Sequence, residues 1–176
     1  FVARLLVDKG VYEFVSAAQI LKKRGVKARF CLAGGIDFKN KTGLNINDLN
    51  KLKEEGFVDV LGYQKDIPEL YAKSHIVCLP SYREGLPKSL IEAAAASRAV
   101  ITTDVPGCRD AIEPNISGLL VPVMNDEALA DAIHDLIKNP EKRKNMGKAG
   151  RVLAEKEFRI EKIVDAHIRI YEDLIN

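Results

Sequence analysis

Glu84 and Glu92, with seven residues between them, stand at the most chemically promising place in this chain. The apolar run Ile76-Val77-Cys78-Leu79-Pro80 before them reads as a buried strand, and Leu90-Ile91-Glu92-Ala93-Ala94-Ala95-Ala96 has the composition of a helix. The stretch between is therefore a strand-to-helix turn. Pro87 suits the first helical position, where its missing N–H would be unpaired anyway, and Gly85 permits a tight bend before it. This places Glu84 on the loop and Glu92 in the second helical turn, with the first-turn N–H groups of Lys88 and Ser89 free for an anion. Free amides and the positive helix end favour a phosphate, while carboxylates accept hydrogen bonds in pairs and suit sugar hydroxyls. Together they suit a sugar nucleotide. The structural alternative is that Glu84 is solvated, Glu92 pairs with Lys88 and Ser81 merely caps, although Lys preceding Glu is the weaker order for such a pair. Leu86, Leu90, Ala93 and Ala94 form the expected core-facing stripe, which leaves Lys88 and Glu92 on a different edge.

The string Glu84-Gly85-Leu86-Pro87-Lys88-Ser89-Leu90-Ile91-Glu92-Ala93, following Pro80-Ser81, resembles the E-x7-E motif of retaining glycosyltransferases of the family-4, or group 1, type. The variant is similar to that of enzymes building bacterial polysaccharides, lipopolysaccharide and lipid-linked oligosaccharides. The segments Pro106-Gly107-Cys108-Arg109-Asp110 and Asn115-x-x-Gly118-Leu119-Leu120-Val121 resemble the same branch, with Asp110 where many relatives carry Glu. An Arg and, five residues on, a Lys-Gly pair contact the donor diphosphate in that family; Arg4, Lys9 and Gly10 match them, with Ala3 in place of the usual preceding Gly. Gly62 and Tyr63 match a Gly-aromatic pair that runs past the nucleotide base. For Arg4 and Lys9 the alternative is solvated surface charge, and for Tyr63 a half-buried rim aromatic. Arg109 and Asp110 either meet the donor or pair with each other, and the structural pair is the favoured expectation.

The elements that must position these residues alternate regularly. Residues 1–6 read as the end of a strand, and 11–23 as a helix with apolar positions 11, 14, 15, 18 and 21 on one face. A second strand covers 28–33, where Gly34-Gly35 stop it; lacking G-x-G-x-x-G into a helix, these glycines make no dinucleotide fingerprint and instead allow a loop close to the site. A polar loop over 37–47 precedes a helix over 48–56, a third strand over 58–63 and a helix over 67–74 capped by Asp66. His75 opens the fourth strand and is assigned no chemistry. Residues 99–103 form a fifth strand, 104–112 a turn and short helix, and 117–122 a sixth strand. A helix from Asp126, with Leu129, Ala132, Ile133, Leu136 and Ile137 on one stripe, stops at Asn139-Pro140, and two amphipathic helices over about 140–156 and 160–175 close the fold by packing. The acidic residues of this tail offset its basic ones, so packing is expected over membrane contact. The pattern predicts an α/β fold, a Rossmann-like parallel sheet of about six strands with helices on both faces, and ligands at the carboxyl ends of the strands. Arg4, Lys9, Gly62, Tyr63, Glu84 and Glu92 all follow such ends.

Composition narrows the field further. The 176 residues, 47% apolar and 30% charged, fit one globular domain or slightly more. A balance of 27 basic and 25 acidic residues, with no basic run interleaved with aromatics, argues against nucleic acid. Cys31, Cys78 and Cys108 are odd in number and lack metal-ligand spacing, so they read as reduced structural thiols of a cytosolic protein. No apolar segment nears the roughly 20 residues that span a bilayer, and no leader pattern opens the chain. The opening on Phe1 without Met reads as a start partway through a longer polypeptide.

The resemblance covers nearly the whole chain and implies the carboxy-terminal, donor-binding half of a GT-B enzyme, whose amino-terminal acceptor domain lies outside this chain. It implies transfer from a nucleotide sugar, UDP-linked, to a glycan or lipid-linked acceptor with retention of configuration, without metal or cofactor. By it Arg4 and Lys9 hold the diphosphate, Glu84 lies near the transferred sugar, Glu92 binds the ribose, and Gly85, Leu86, Pro87, Lys88 and Ser89 complete the donor site. A cytoplasmic location, peripheral on the inner face of the membrane, goes with it. Competing readings are a nucleotide-sugar epimerase of the same architecture, a non-catalytic nucleotide-binding α/β module, and a glycoside hydrolase built on the two acids; a hydrolase has no use for a diphosphate pocket. A receiver-like fold is disfavoured because Asp8 stands alone after the first strand, where such a domain pairs its acids.

Overall fold

The computed structural model describes residues 1–175. Helix and strand alternate over residues 11–138, and two further helices follow. A 3-10 turn over Val7–Lys9 leads into α1 (Val11–Lys23), followed by β1 (Cys31–Ala33), α2 (Ile46–Glu55), β2 (Asp59–Gly62), α3 (Ile67–Ala72), β3 (Ile76–Leu79) and α4 (Lys88–Ala95). Then come β4 (Ala99–Thr103), α5 (Pro106–Asp110), β5 (Gly118–Val121), α6 (Asp126–Lys138), α7 (Pro140–Glu157) and α8 (Ile160–Ile175). All strand pairs are parallel, β1 with β2 and β3 with β4 with β5. The described residues thus hold five strands rather than about six.

The missing strand is the first. Its hydrogen bonds to β1 exist, from Ala33 N to Phe1 O and from Ala3 N to Ala33 O, and Val2 bridges Ala33 in parallel. Beyond it Leu5 N still donates to Gly35 O at 3.0 Å, but Leu6 N folds back onto Arg4 O, so the pairing turns irregular and does not extend as a regular strand. The segment is one bridge of a strand, but it still lengthens the β1–β2 sheet.

Burial explains the helix placements. The β4 strand is buried along its whole length, the pattern of a central parallel strand covered on both faces. On α1 the buried residues Val11, Phe14, Val15, Ala18 and Leu21 recur at helical spacing, and α1 packs on α6 through its matching stripe of Leu129, Ala130, Ile133 and Leu136. On α4 the buried face is Leu90, Ala93 and Ala94, set against α7 and β4. Each fully buried Leu in these layers contributes roughly 2 kcal/mol of transfer free energy. Met146, Gly147, Gly150, Leu153 and Ala154 bury α7 over the core, whereas α8 has no buried residue and keeps Ile163, Val164, Ile168 and Tyr171 exposed. No described helix is long and apolar enough to cross a membrane. The three cysteines are free thiols, Cys78 and Cys108 buried and Cys31 half-buried.

Candidate functional site

The carboxyl ends of the two sheets meet at Asp8. Asp8 O, in the turn after the Val2 bridge, accepts from Tyr82 N at 2.8 Å and from Ser81 Oγ at 2.9 Å in the loop after β3. Because all strands within each sheet run parallel, this contact brings the loops after Val2, β1, β2, β3, β4 and β5 to one edge of the molecule.

From Pro80 to Glu84 every residue is held by the 8–13 stretch. Gly10, with φ of 75°, lies so close to Pro80 that a Cβ would stand 2.1 Å from its carbonyl oxygen. Ser81 and Tyr82 bond Asp8 O, the Arg83 guanidinium lies 3.6 Å from the Asp8 carboxylate, and the Tyr82 hydroxyl donates to Glu13 Oε1 at 2.6 Å. Lys9 Nζ donates to Glu84 Oε1 at 2.5 Å. On the far side Thr103 Oγ1 donates to Ser81 O, and Gly107 on α5 packs against Gly85. Glu84 is therefore enclosed and partnered rather than solvated. Its side chain and that of Lys9 are 10% and 19% exposed, where the attraction between opposite charges is screened less than in bulk water.

The start of α4 departs from expectation by one position. Pro87 has φ of −74° and ψ of 111°, so it is the extended N-cap residue and the helix begins at Lys88. No side chain caps this end, and the N–H groups of Lys88 and Ser89 have no acceptor among the described residues. The Tyr71 hydroxyl donates to Ser89 O at 3.0 Å from beneath, fixing the first turn. Lys88 Nζ lies 3.4 Å from Glu92 Oε1 on the outer edge; with Lys88 88% exposed, the pair contributes little. Leu86 is 48% exposed instead of joining the core stripe, because the helical periodicity begins only after it. Ser81 caps nothing: it is fully buried and its hydroxyl donates to Asp8 O.

The remaining expected residues lie on the same edge but have other partners. Arg4 Nη1 pairs with Asp37 Oδ2 at 2.7 Å. Gly62 adopts the left-handed conformation, with φ of 67°, and Tyr63 after it is 76% exposed rather than half-buried. Gly34 N donates to Gly62 O at 2.9 Å, and Gly34 lies against the Ala3 carbonyl, so the Tyr63 turn and the Arg4 turn are tied through that glycine. Arg109 pairs with Asp104 at 2.5 Å and not with the exposed Asp110. His75 is exposed. Glu84 and Lys9 are thus brought into contact, Lys88 and Glu92 into a second pair, while Arg4 and Tyr63 flank them without touching. Sequence reasoning gave Asp8, Glu13, Asp37, Tyr82 and Gly107 no place in the site. The signals for Glu13 and Tyr82 were present, an acid in the first turn of α1 and a phenol inside the motif, but nothing local connects residues 69 positions apart.

Comparison with known proteins follows the same lines. Residues 1–153 match the profile of the family described as glycosyl transferases group 1, and the chain belongs to that family, with its GT-B architecture. An N,N'-diacetylbacillosaminyl-diphospho-undecaprenol alpha-1,3-N-acetylgalactosaminyltransferase from Campylobacter jejuni is 38% identical over 147 residues, 84% of this chain and 37% of that protein. The capsular polysaccharide biosynthesis glycosyltransferase CapM of Staphylococcus aureus is 27% identical over 158 residues, 90% of this chain and 41% of its own length. Among solved structures, a sucrose-phosphate synthase from Thermosynechococcus elongatus superposes with a TM-score of 0.87 at 29% identity, covering 98% of this chain and 44% of that one. The chain spans about two-fifths of the curated relatives it matches.

Proposed function

We propose that this chain is the carboxy-terminal, donor-binding lobe of a retaining glycosyltransferase, which moves a sugar from a UDP-linked donor to a glycan or lipid-linked acceptor in polysaccharide, lipopolysaccharide or glycolipid biosynthesis. The observation that carries the proposal is the Lys9–Glu84 pair beside the uncapped start of α4. A cation, a carboxylate and two free amides within one loop cluster meet the needs of a phosphorylated sugar, which requires positive charge for its diphosphate and acceptors for its hydroxyls. A further support is the name of the Campylobacter relative, which includes a lipid diphosphate.

In this reading the amides of Lys88 and Ser89 and the side chains of Arg4 and Lys9 hold the diphosphate. As transfer proceeds, the bond from the anomeric carbon to the phosphate oxygen breaks and its electron pair stays on the diphosphate, so the negative charge grows where these cations lie. Glu84 orients the sugar or offsets positive charge at the reacting carbon, Glu92 binds ribose hydroxyls, and Gly62 with Tyr63 borders the base. Gly85, Leu86 and Pro87 shape the loop. No metal or cofactor takes part in the proposed transfer. The acceptor is held by an amino-terminal lobe outside this chain, and the enzyme works in the cytoplasm, peripheral to the membrane. A donor screen with the full-length protein tests this: transfer from a UDP-sugar that persists in a chelator and gives a product of unchanged anomeric configuration is expected, and an inverted product overturns the retaining assignment.

A further inference from the structure

Tyr82 is anchored twice. Its N–H donates to Asp8 O at 2.8 Å and its hydroxyl to Glu13 Oε1 at 2.6 Å. The first bond, with Thr103 Oγ1 donating to Ser81 O of the same peptide, fixes where the loop after β3 meets the turn before α1, but the next peptide, which leads toward Glu84, can still swivel about Tyr82. The second bond stops that rotation at the residue two positions before Glu84. Glu13 in turn has no other partner: its Oε2 is buried and receives no hydrogen bond among the described residues. An unsatisfied buried acceptor of this kind persists where its neighbours hold it in place, and the phenol is the one donor that keeps the carboxylate from being wholly orphaned.

We infer that Tyr82 and Glu13 form a positioning latch which sets the angle at which the 81–87 loop presents Glu84 to Lys9 and to a bound sugar. The inference rests on the donor-site reading above. The latch touches neither phosphate nor sugar; it acts through Glu84. Glu13 lies in the first turn of α1, so the helix holds its carboxylate in place as the acceptor. Burial, and after it the Glu13 carboxylate, push the Tyr82 phenol well above the ordinary tyrosine range, so it remains a protonated donor at any pH the enzyme meets.

Tyr82→Phe, Glu13→Gln and the double variant of the full-length protein test the latch in two ways. In the ligand-free protein, amide exchange at residues 82–84 is expected to quicken about tenfold in Tyr82→Phe, with β4 unchanged. In catalysis, kcat is expected to fall about tenfold while the affinity for UDP stays within about twofold, and the double variant is expected to be no worse than either single one. Unchanged exchange and kcat in Tyr82→Phe overturn the latch. So does faster exchange throughout the fold with equal losses in UDP affinity and kcat, which marks a merely structural bond. If the unaltered protein neither binds nucleotide nor transfers sugar, the donor-site reading fails, and the exchange measurement still decides whether the loop is latched.

Discussion

Lys9 Nζ lies 2.5 Å from Glu84 Oε1, a contact between residues 75 positions apart that joins the turn before α1 to the loop before α4. Removing two charges from water costs several kcal/mol per ion, and a pair of this kind adds little net stability over an apolar one. Its value lies in placing a cation and a carboxylate at one spot. Glu84→Gln in the full-length enzyme is expected to cut turnover about a hundredfold while UDP affinity stays within a few-fold, since the amide keeps the shape and loses the charge. Steady-state kinetics and calorimetry with UDP check this, and equal losses in both contradict the role assigned to Glu84.

Gly107→Ala tests the other wall of the loop. A Cβ there would stand 2.0 Å from Gly85 O and 2.4 Å from Glu84 O, both backbone atoms that cannot swing aside. Displacing them is expected to cost roughly 1–3 kcal/mol in denaturant unfolding and to weaken donor binding. Gly25→Ala is the control. Its φ of 73° carries a left-handed penalty of about 1 kcal/mol, but nothing lies within 4 Å, so donor binding is expected to be unchanged.

Alkaline pH is expected to destabilise the fold. Burial raises the Tyr71 phenol, and it pushes the Cys78 thiol up to about 12. Both groups hold their protons more tightly folded than unfolded, so their contribution is complete below the unfolded values of about 8.5 to 10, declines above them and is lost as pH rises through the raised folded values. Urea midpoints are expected to be flat from pH 7 to about 8.5 and to fall by pH 10.5. Tyr71→Phe is expected to lose about 1 kcal/mol at pH 7, the hydrogen bond to Ser89 O, and to show a shallower alkaline fall. A midpoint that rises with pH contradicts this account.

Much of the architecture was legible because it is periodic. The stripe Val11, Phe14, Val15, Ala18 and Leu21 and the run Ala99–Thr103 show their helix and strand directly, and the βα alternation orders them. What escaped was set by contacts that periodicity does not encode. Residues 1–6 look like a strand, yet after the Val2 bridge the pairing turns irregular, with Leu5 on Gly35 and Leu6 folded back onto Arg4. Arg109 and Asp110 look like a pair, yet adjacent helical residues point apart, and Asp104 lies within reach. Asp37 and Glu13 look like surface acids until the fold sets them beside Arg4 and Tyr82.

The most direct test is calorimetry of this chain with UDP-sugars and GDP-sugars, using the unaltered protein and Lys9→Ala. The account predicts weak but measurable binding to at least one nucleotide sugar and a loss of about tenfold or more in Lys9→Ala, the scale of one charge-assisted phosphate contact. No binding to any nucleotide sugar, or equal binding by Lys9→Ala, would contradict it.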